Sequence, residues 1–138
     1  MSVLVYTENW DGKFKKLSFE LVSYATRVAE MLNTSCIALS IGNVDDAELK
    51  KLGSYGAQKI LSVNSDNLKV FDTQNYTEAI AQVAKNNDAK VVVISNNNVG
   101  KAVAPRLSVK LKAALAAGVN GLPLSTNPFT VRKRAFSG

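Results

Sequence analysis

The stretch that decides the fold is "KVVVISNNNVGKAVAPRLSVKL", Lys90 to Leu111. "KVVVIS" is apolar with almost no alternation, as expected for a strand buried on both faces. "NNNVG" supplies turn formers and a helix cap, and Val103, Leu107, Leu111 and Ala114 then recur at helical spacing. The segment reads as strand, loop and helix, the repeating unit of a parallel α/β protein. Pro105 is expected near the start of this helix, where a missing N–H costs little.

Working outward, the same unit recurs. "SVLVYTE" (2–8), "SCIALSIG" (35–42) and "QKILSV" (58–63) read as further strands. Leu17, Leu21, Ala25, Val28 and Leu32 mark one amphipathic helix, and Tyr76, Ile80, Val83 and Ala84 another. Asp45 followed by Glu48 reads as a capping box opening a short helix that stops at Gly53. "NWDGKFKK" (9–16) is a turn-rich loop around Asp11-Gly12. Alternating strands and helices predict a three-layer α/β/α doubly wound, mostly parallel sheet of nucleotide-binding type. Beyond Ala117 the periodicity fades, and "TVRKRAFSG" (130–138) reads as an extended edge segment. The expectation is one domain, residues 1–138, cut from a longer chain at a domain boundary.

Composition bounds the chemistry. The 138 residues, 46% apolar and 20% charged, suit one ordinary folded domain. No apolar run approaches the roughly 18–20 residues that cross a bilayer, and the start has no basic n-region, so neither membrane insertion nor a signal peptide is expected. Cys36 is alone in an apolar strand, which suits a buried thiol in a cytoplasmic protein. The absence of histidine removes the usual general base and the commonest transition-metal ligand. The first 88 residues carry 9 basic and 11 acidic groups, net −2, whereas the remainder carry 8 basic groups and no acid, net +8. That asymmetry fits either a solvated basic face or an acidic partner.

Ligands of open parallel sheets settle at the carboxyl ends of the strands, so the candidate loops are 7–16, 42–45, 64–72 and 96–101. Gly100-Lys101 echoes the end of a P-loop, but Ser95 and Ala102 stand where that motif needs Gly and Ser or Thr. Gly42 and Gly100 stand singly, so no dinucleotide fingerprint is present either. The three consecutive residues Asn96, Asn97 and Asn98 can cap a helix and tolerate left-handed turns without any ligand. A phospho-receiver would need an acid directly after the third strand, where Asp66 comes late. No nucleophile elbow appears, and Asp45-Asp46 fits a helix cap better than an acid/base pair. Trp10 with Phe14, Lys13, Lys15 and Lys16 is either a docking patch or an aromatic folded over its own core. No nucleic-acid-binding module is recognisable.

Four segments in this order carry a family resemblance. "VLVYTENWDGKFKKLSFELVSYATRVA" (3–29) resembles the opening of electron transfer flavoprotein alpha subunits. "LGSYGAQKILSV" (52–63) is similar to their turn into the third strand, and "NPFTVRKRAFSG" (127–138) to the strand that leaves their first domain. "VVVISNNNVGKAVAPRLSVKL" (91–111) resembles their strand, Gly loop and "APR" helix, and "APRLSVKL" is the most specific piece. Two positions depart from the pattern: Lys101-Ala102 stands where the family has Arg-Asp, and Asn120 where it has Asp.

The resemblance implies an N-terminal scaffold and subunit-interface domain, without a catalytic site of its own. It implies a beta-subunit partner and one FAD, held mostly by a downstream domain and not by this chain. It also implies electron transfer from acyl-CoA and other dehydrogenases to a quinone oxidoreductase, with neither nucleic-acid binding nor membrane insertion. Asn97, Asn98, Gly100 and Arg106 are the candidate structural or interface residues. The rival reading is a stand-alone nucleotide-binding domain of universal-stress-protein type, which would need a Gly-rich loop after its fourth strand.

Overall fold

A computed structural model describes residues 1–117, 125–126 and 129–130. Its centre is a sheet of five strands: β1 (Ser2–Thr7), β2 (Ser35–Ile41), β3 (Lys59–Val63), β4 (Ala89–Ile94) and β5 (Ala114–Ala117). All four pairings are parallel, in the order β3-β2-β1-β4-β5. Helices α1 (Lys16–Met31), α2 (Asp46–Gly53), α3 (Thr73–Asn86) and α4 (Asn98–Lys110) make the connections. The doubly wound expectation holds.

Burial explains the unbroken apolar strands. Along β1, Val3 and Val5 pack with Leu21, Val22, Ala25 and Val28 of α1 and Leu52 of α2. Leu4 and Tyr6 face the other way, against Ile80 of α3 and Val103 and Leu107 of α4. A strand covered on both faces has no polar side to alternate with. Cys36 lies in the α1–α2 layer, 2% exposed, and burial pushes its thiol up to about 11.

Three local expectations change. The helical spacing that ran through Ala114 breaks: α4 stops at Lys110, Leu111 is extended, and Ala114 to Ala117 pair with Val91 to Ile94. Periodicity cannot separate a short apolar helix end from a buried strand, and the open edge of β4 decides it. Pro105 is not near the beginning but is the eighth residue of a 13-residue helix, where its missing N–H leaves the Lys101 carbonyl without its helical donor. The Asp45–Glu48 capping box does not form, because Asp45 makes no side-chain cap and Glu48 turns elsewhere. A single 3-10 turn, Asp66–Leu68, also interrupts the loop after β3. Of the expected C-terminal edge segment, residues 131–138 lie outside the described residues. Upstream, Ser125–Thr126 pairs antiparallel with Phe129–Thr130.

Candidate functional site at the carboxyl edge of the sheet

The strand order reverses between β1 and β4, and their carboxyl ends frame the crevice where such folds place ligands. Glu8 follows β1, and Ser95 to Asn97 follow β4. They meet across the crevice: Glu8 Oε1 accepts from Asn97 Nδ2 at 2.6 Å and from Ser95 Oγ at 2.7 Å. The Ser95 hydroxyl also lies 2.7 Å from Asn97 Oδ1, and its one proton serves one acceptor at a time. Asn97 is the N-cap of α4, its Oδ1 accepting the Gly100 N–H at 3.1 Å. The helix start that could have held a phosphate is therefore capped by a side chain and faced by a carboxylate. A pyrophosphate placed there would meet a like charge at close range.

Gly100 completes this turn for a steric reason. A Cβ at this position would run into the Ser95 carbonyl, so only glycine lets the first turn of α4 close over the end of β4. Asn98 is the first helical residue and is exposed, with no part in the cap. Arg106 is exposed further along α4, beside a shallow depression of about 270 Å3 shared with Thr77 and Val109. Of the four candidate residues, the turn unites Asn97 and Gly100 and leaves Asn98 and Arg106 outside.

The loop after β1 is a small hairpin, Asn9–Trp10 against Lys13–Phe14, turned by Asp11 and Gly12 at φ 51° and 81°. Asn9 ties it to the sheet, donating from Nδ2 to the Ile41 carbonyl at 2.8 Å and accepting the Gly12 N–H at 3.1 Å. Glu48, only 4% exposed, accepts the Phe14 N–H at 2.8 Å and pairs with Lys51 at 2.8 Å. The Lys51 ammonium, then the Phe14 N–H, hold its carboxyl below the usual range. So anchored, the hairpin keeps Trp10 37% exposed, with the Lys15 ammonium 4.4 Å from its ring centroid. The ring does not fold over the core.

Between this hairpin and the segment leading into α3 lies an open cleft of about 730 Å3. Trp10 and Phe71 stand on its walls, Tyr6, Ile41 and Tyr76 line it deeper in, and Glu8 and Asp11 supply carboxylates. Phe71 packs edge-on against Tyr76 at 4.9 Å, and Tyr76 in turn against Tyr6 at 6.4 Å. Burial foremost, and then the Glu8 charge, raise the Tyr6 hydroxyl far above its ordinary pKa. It stays protonated. Among the described residues no cluster of side chains could hold a metal ion.

Sequence reasoning missed the roles of Glu8 and Ser95, and Tyr6 and Phe71 altogether. Glu8 and Ser95 are 87 residues apart, and only the β1–β4 adjacency brings them together.

Comparisons with known proteins agree with the fold and supply a family. A universal stress protein solved with cAMP superposes with a TM-score of 0.55 at 16% identity, covering 84% of this chain and 94% of its own. One from Archaeoglobus fulgidus gives 0.57 at 13%, covering 86% and 93%. At such identities the likeness is one of fold. Among curated relatives, an electron transfer flavoprotein subunit alpha from Clostridium acetobutylicum is 28% identical over 138 residues, 99% of this chain and 41% of the relative. An acryloyl-CoA reductase electron transfer subunit beta from Anaerotignum propionicum is 26% identical over 127 residues, 92% of this chain and 35% of the relative. The chain thus spans about two fifths of the length of such relatives. The family profile described as electron transfer flavoprotein domain matches residues 3–138. The chain belongs to the electron transfer flavoprotein domain family.

Proposed function

We propose that this chain is the N-terminal scaffold and subunit-interface domain of an electron transfer flavoprotein alpha subunit, with no catalytic site of its own. In the full assembly it pairs with a beta subunit, and FAD is held by a downstream domain. That assembly carries electrons from acyl-CoA and other dehydrogenases to a quinone oxidoreductase, in the cytoplasm. The family match over residues 3–138 carries the reading.

The geometry supports it in two ways. The residues at the carboxyl edge do not fit the pyrophosphate of FAD, since Glu8 and the Asn97 cap stand where its charge would need N–H donors. On α4, Arg106 has no salt bridge among the described residues and sits beside Val109, which is 87% exposed. An unpaired arginine next to exposed apolar surface is the composition of an interface anchor. No helix among the described residues is long and apolar enough to cross a membrane. The universal-stress-protein alternative rests on fold likeness, and the acidic edge opposes it.

The test is reconstitution of the alpha subunit with its downstream domain and a beta subunit. The assembly should carry FAD, and Arg106→Ala should weaken subunit association about tenfold, an interface loss near 1.4 kcal/mol. An assembly that forms without flavin would contradict the reading.

A further inference from the structure

We propose that the cleft between the Trp10 hairpin and Phe71 is a binding site for a guanidinium group, carried by a small molecule or by an arginine side chain. The inference stands apart from the alpha-subunit reading and rests on the lining of the cleft. Glu8 and Asp11 reach it, and neither has a salt-bridge partner among the described residues. Glu8 Oε1 takes both hydrogen bonds from Asn97 and Ser95, and Oε2 takes none among the described residues. Lys69, the one cation in the lining, is paired with Asp66 at 3.3 Å, and the Lys15 ammonium lies over Trp10 on the wall. Two of the helix starts at this edge, α3 and α4, each have one first-turn N–H capped by a side chain, Asn75 by Asp72 and Gly100 by Asn97. The cleft therefore favours positive charge.

An independent observation points to a ligand with hydrogen-bonding capacity. The Tyr6 side chain is 4% exposed and lines the cleft, and its hydroxyl, which makes no hydrogen bond among the described residues, opens onto the cleft rather than being sealed in the core. The neighbouring Tyr76 hydroxyl, by contrast, donates to the Leu68 carbonyl at 3.0 Å. A protonated phenol can accept one of the five guanidinium donors, while the carboxylates accept others in a forked geometry. The planar group stacks on aromatic faces, and Trp10 already holds the Lys15 ammonium over its ring. A phosphate or a carboxylate ligand would meet Glu8 and Asp11 instead.

Trp10 is the single tryptophan, so its fluorescence reports on the cleft directly. The purified chain is titrated with L-argininamide, with its neutral urea analogue L-citrullinamide, and with AMP. Saturable quenching by argininamide is expected, with affinity about tenfold weaker in Asp11→Asn and in Glu8→Gln, and also weaker in Tyr6→Phe. Circular dichroism checks that each variant is folded. A Gly-Arg-Gly peptide that binds at least about tenfold more tightly than argininamide assigns the group to a protein partner; equal or weaker binding assigns it to a small molecule. An equal response to citrullinamide, a preference for AMP, no saturable response, or indifference to both acidic substitutions overturns the proposal.

Discussion

Replacing Gly100 by alanine sets two effects of opposite sign against each other. Gly100 is the third residue of α4, and in an ordinary helix an alanine there would be worth about 1 kcal/mol of added stability. The structure opposes this, because the new Cβ would overlap the Ser95 carbonyl, a backbone atom that cannot swing aside. Relief requires the end of β4 to move, and β4 is buried between β1 and β5. Overpacking of this kind costs roughly 1–3 kcal/mol, and more where the obstacle is main chain. The same movement would stretch the Asn97 cap and the Glu8 bridge, which together contribute about 1–2 kcal/mol. A net loss of about 2 kcal/mol is expected, or roughly 5–10 °C in Tm for a domain of this size. Urea unfolding followed by circular dichroism, compared with wild type, gives the number. Gly53→Ala is the control, since its Cβ would make ordinary contact with Ile60 Cδ1 at 3.9 Å. It should be neutral or slightly stabilising. A Gly100→Ala protein as stable as wild type, or more so, would refute the close approach.

The other expectations use the same assay. Asn97→Ala should cost about 1–2 kcal/mol through the lost cap, while Asn98→Ala, at an exposed position, should stay within about 0.5 kcal/mol of wild type; equal losses would mean that the cap is misassigned. Pro105→Ala restores an N–H to the middle of α4 at an exposed position and should stabilise by about 1–2 kcal/mol, read as a rise in the urea midpoint; a loss would show that the proline packs productively. Glu48 has a folded-state pKa below its unfolded one, so its contribution is complete above the unfolded value near 4.3 and fades as pH falls through the folded value. Wild type should therefore exceed Glu48→Gln by about 1 kcal/mol at pH 7, with the gap closing toward pH 3; a gap that does not depend on pH would exclude the charge as its source.

What could be read from the sequence, and what could not, divides along physical lines. Strands such as Val91 to Ile94 declare themselves because burial on both faces removes every polar residue. Helix α1 declares itself through one apolar stripe, Leu21, Ala25 and Val28. The end of α4 was hidden, since "AALAA" satisfies a helix by propensity and a strand only through the edge that β4 offers. Glu48 was hidden by a local rule: its spacing from Asp45 matches a capping box, but the Phe14 N–H, 34 residues away, competes for the same carboxylate. At the candidate site, a helix cap among Asn96, Asn97 and Asn98 was legible, but not that Asn97 supplies it. The bridge from Glu8 was not legible either, because contact between residues 8 and 95–97 exists only once the strand order is known.

The most direct measurement compares FAD and AMP binding, by calorimetry, to this chain alone and to the chain joined to the downstream domain and beta subunit that the proposed function assigns to it. The chain alone should bind neither below about millimolar concentrations, because its phosphate position is filled by Glu8 and the Asn97 cap. The restored assembly should bind FAD tightly. Micromolar binding of FAD or AMP by the chain alone would contradict the scaffold reading and return the carboxyl edge to use as a nucleotide site.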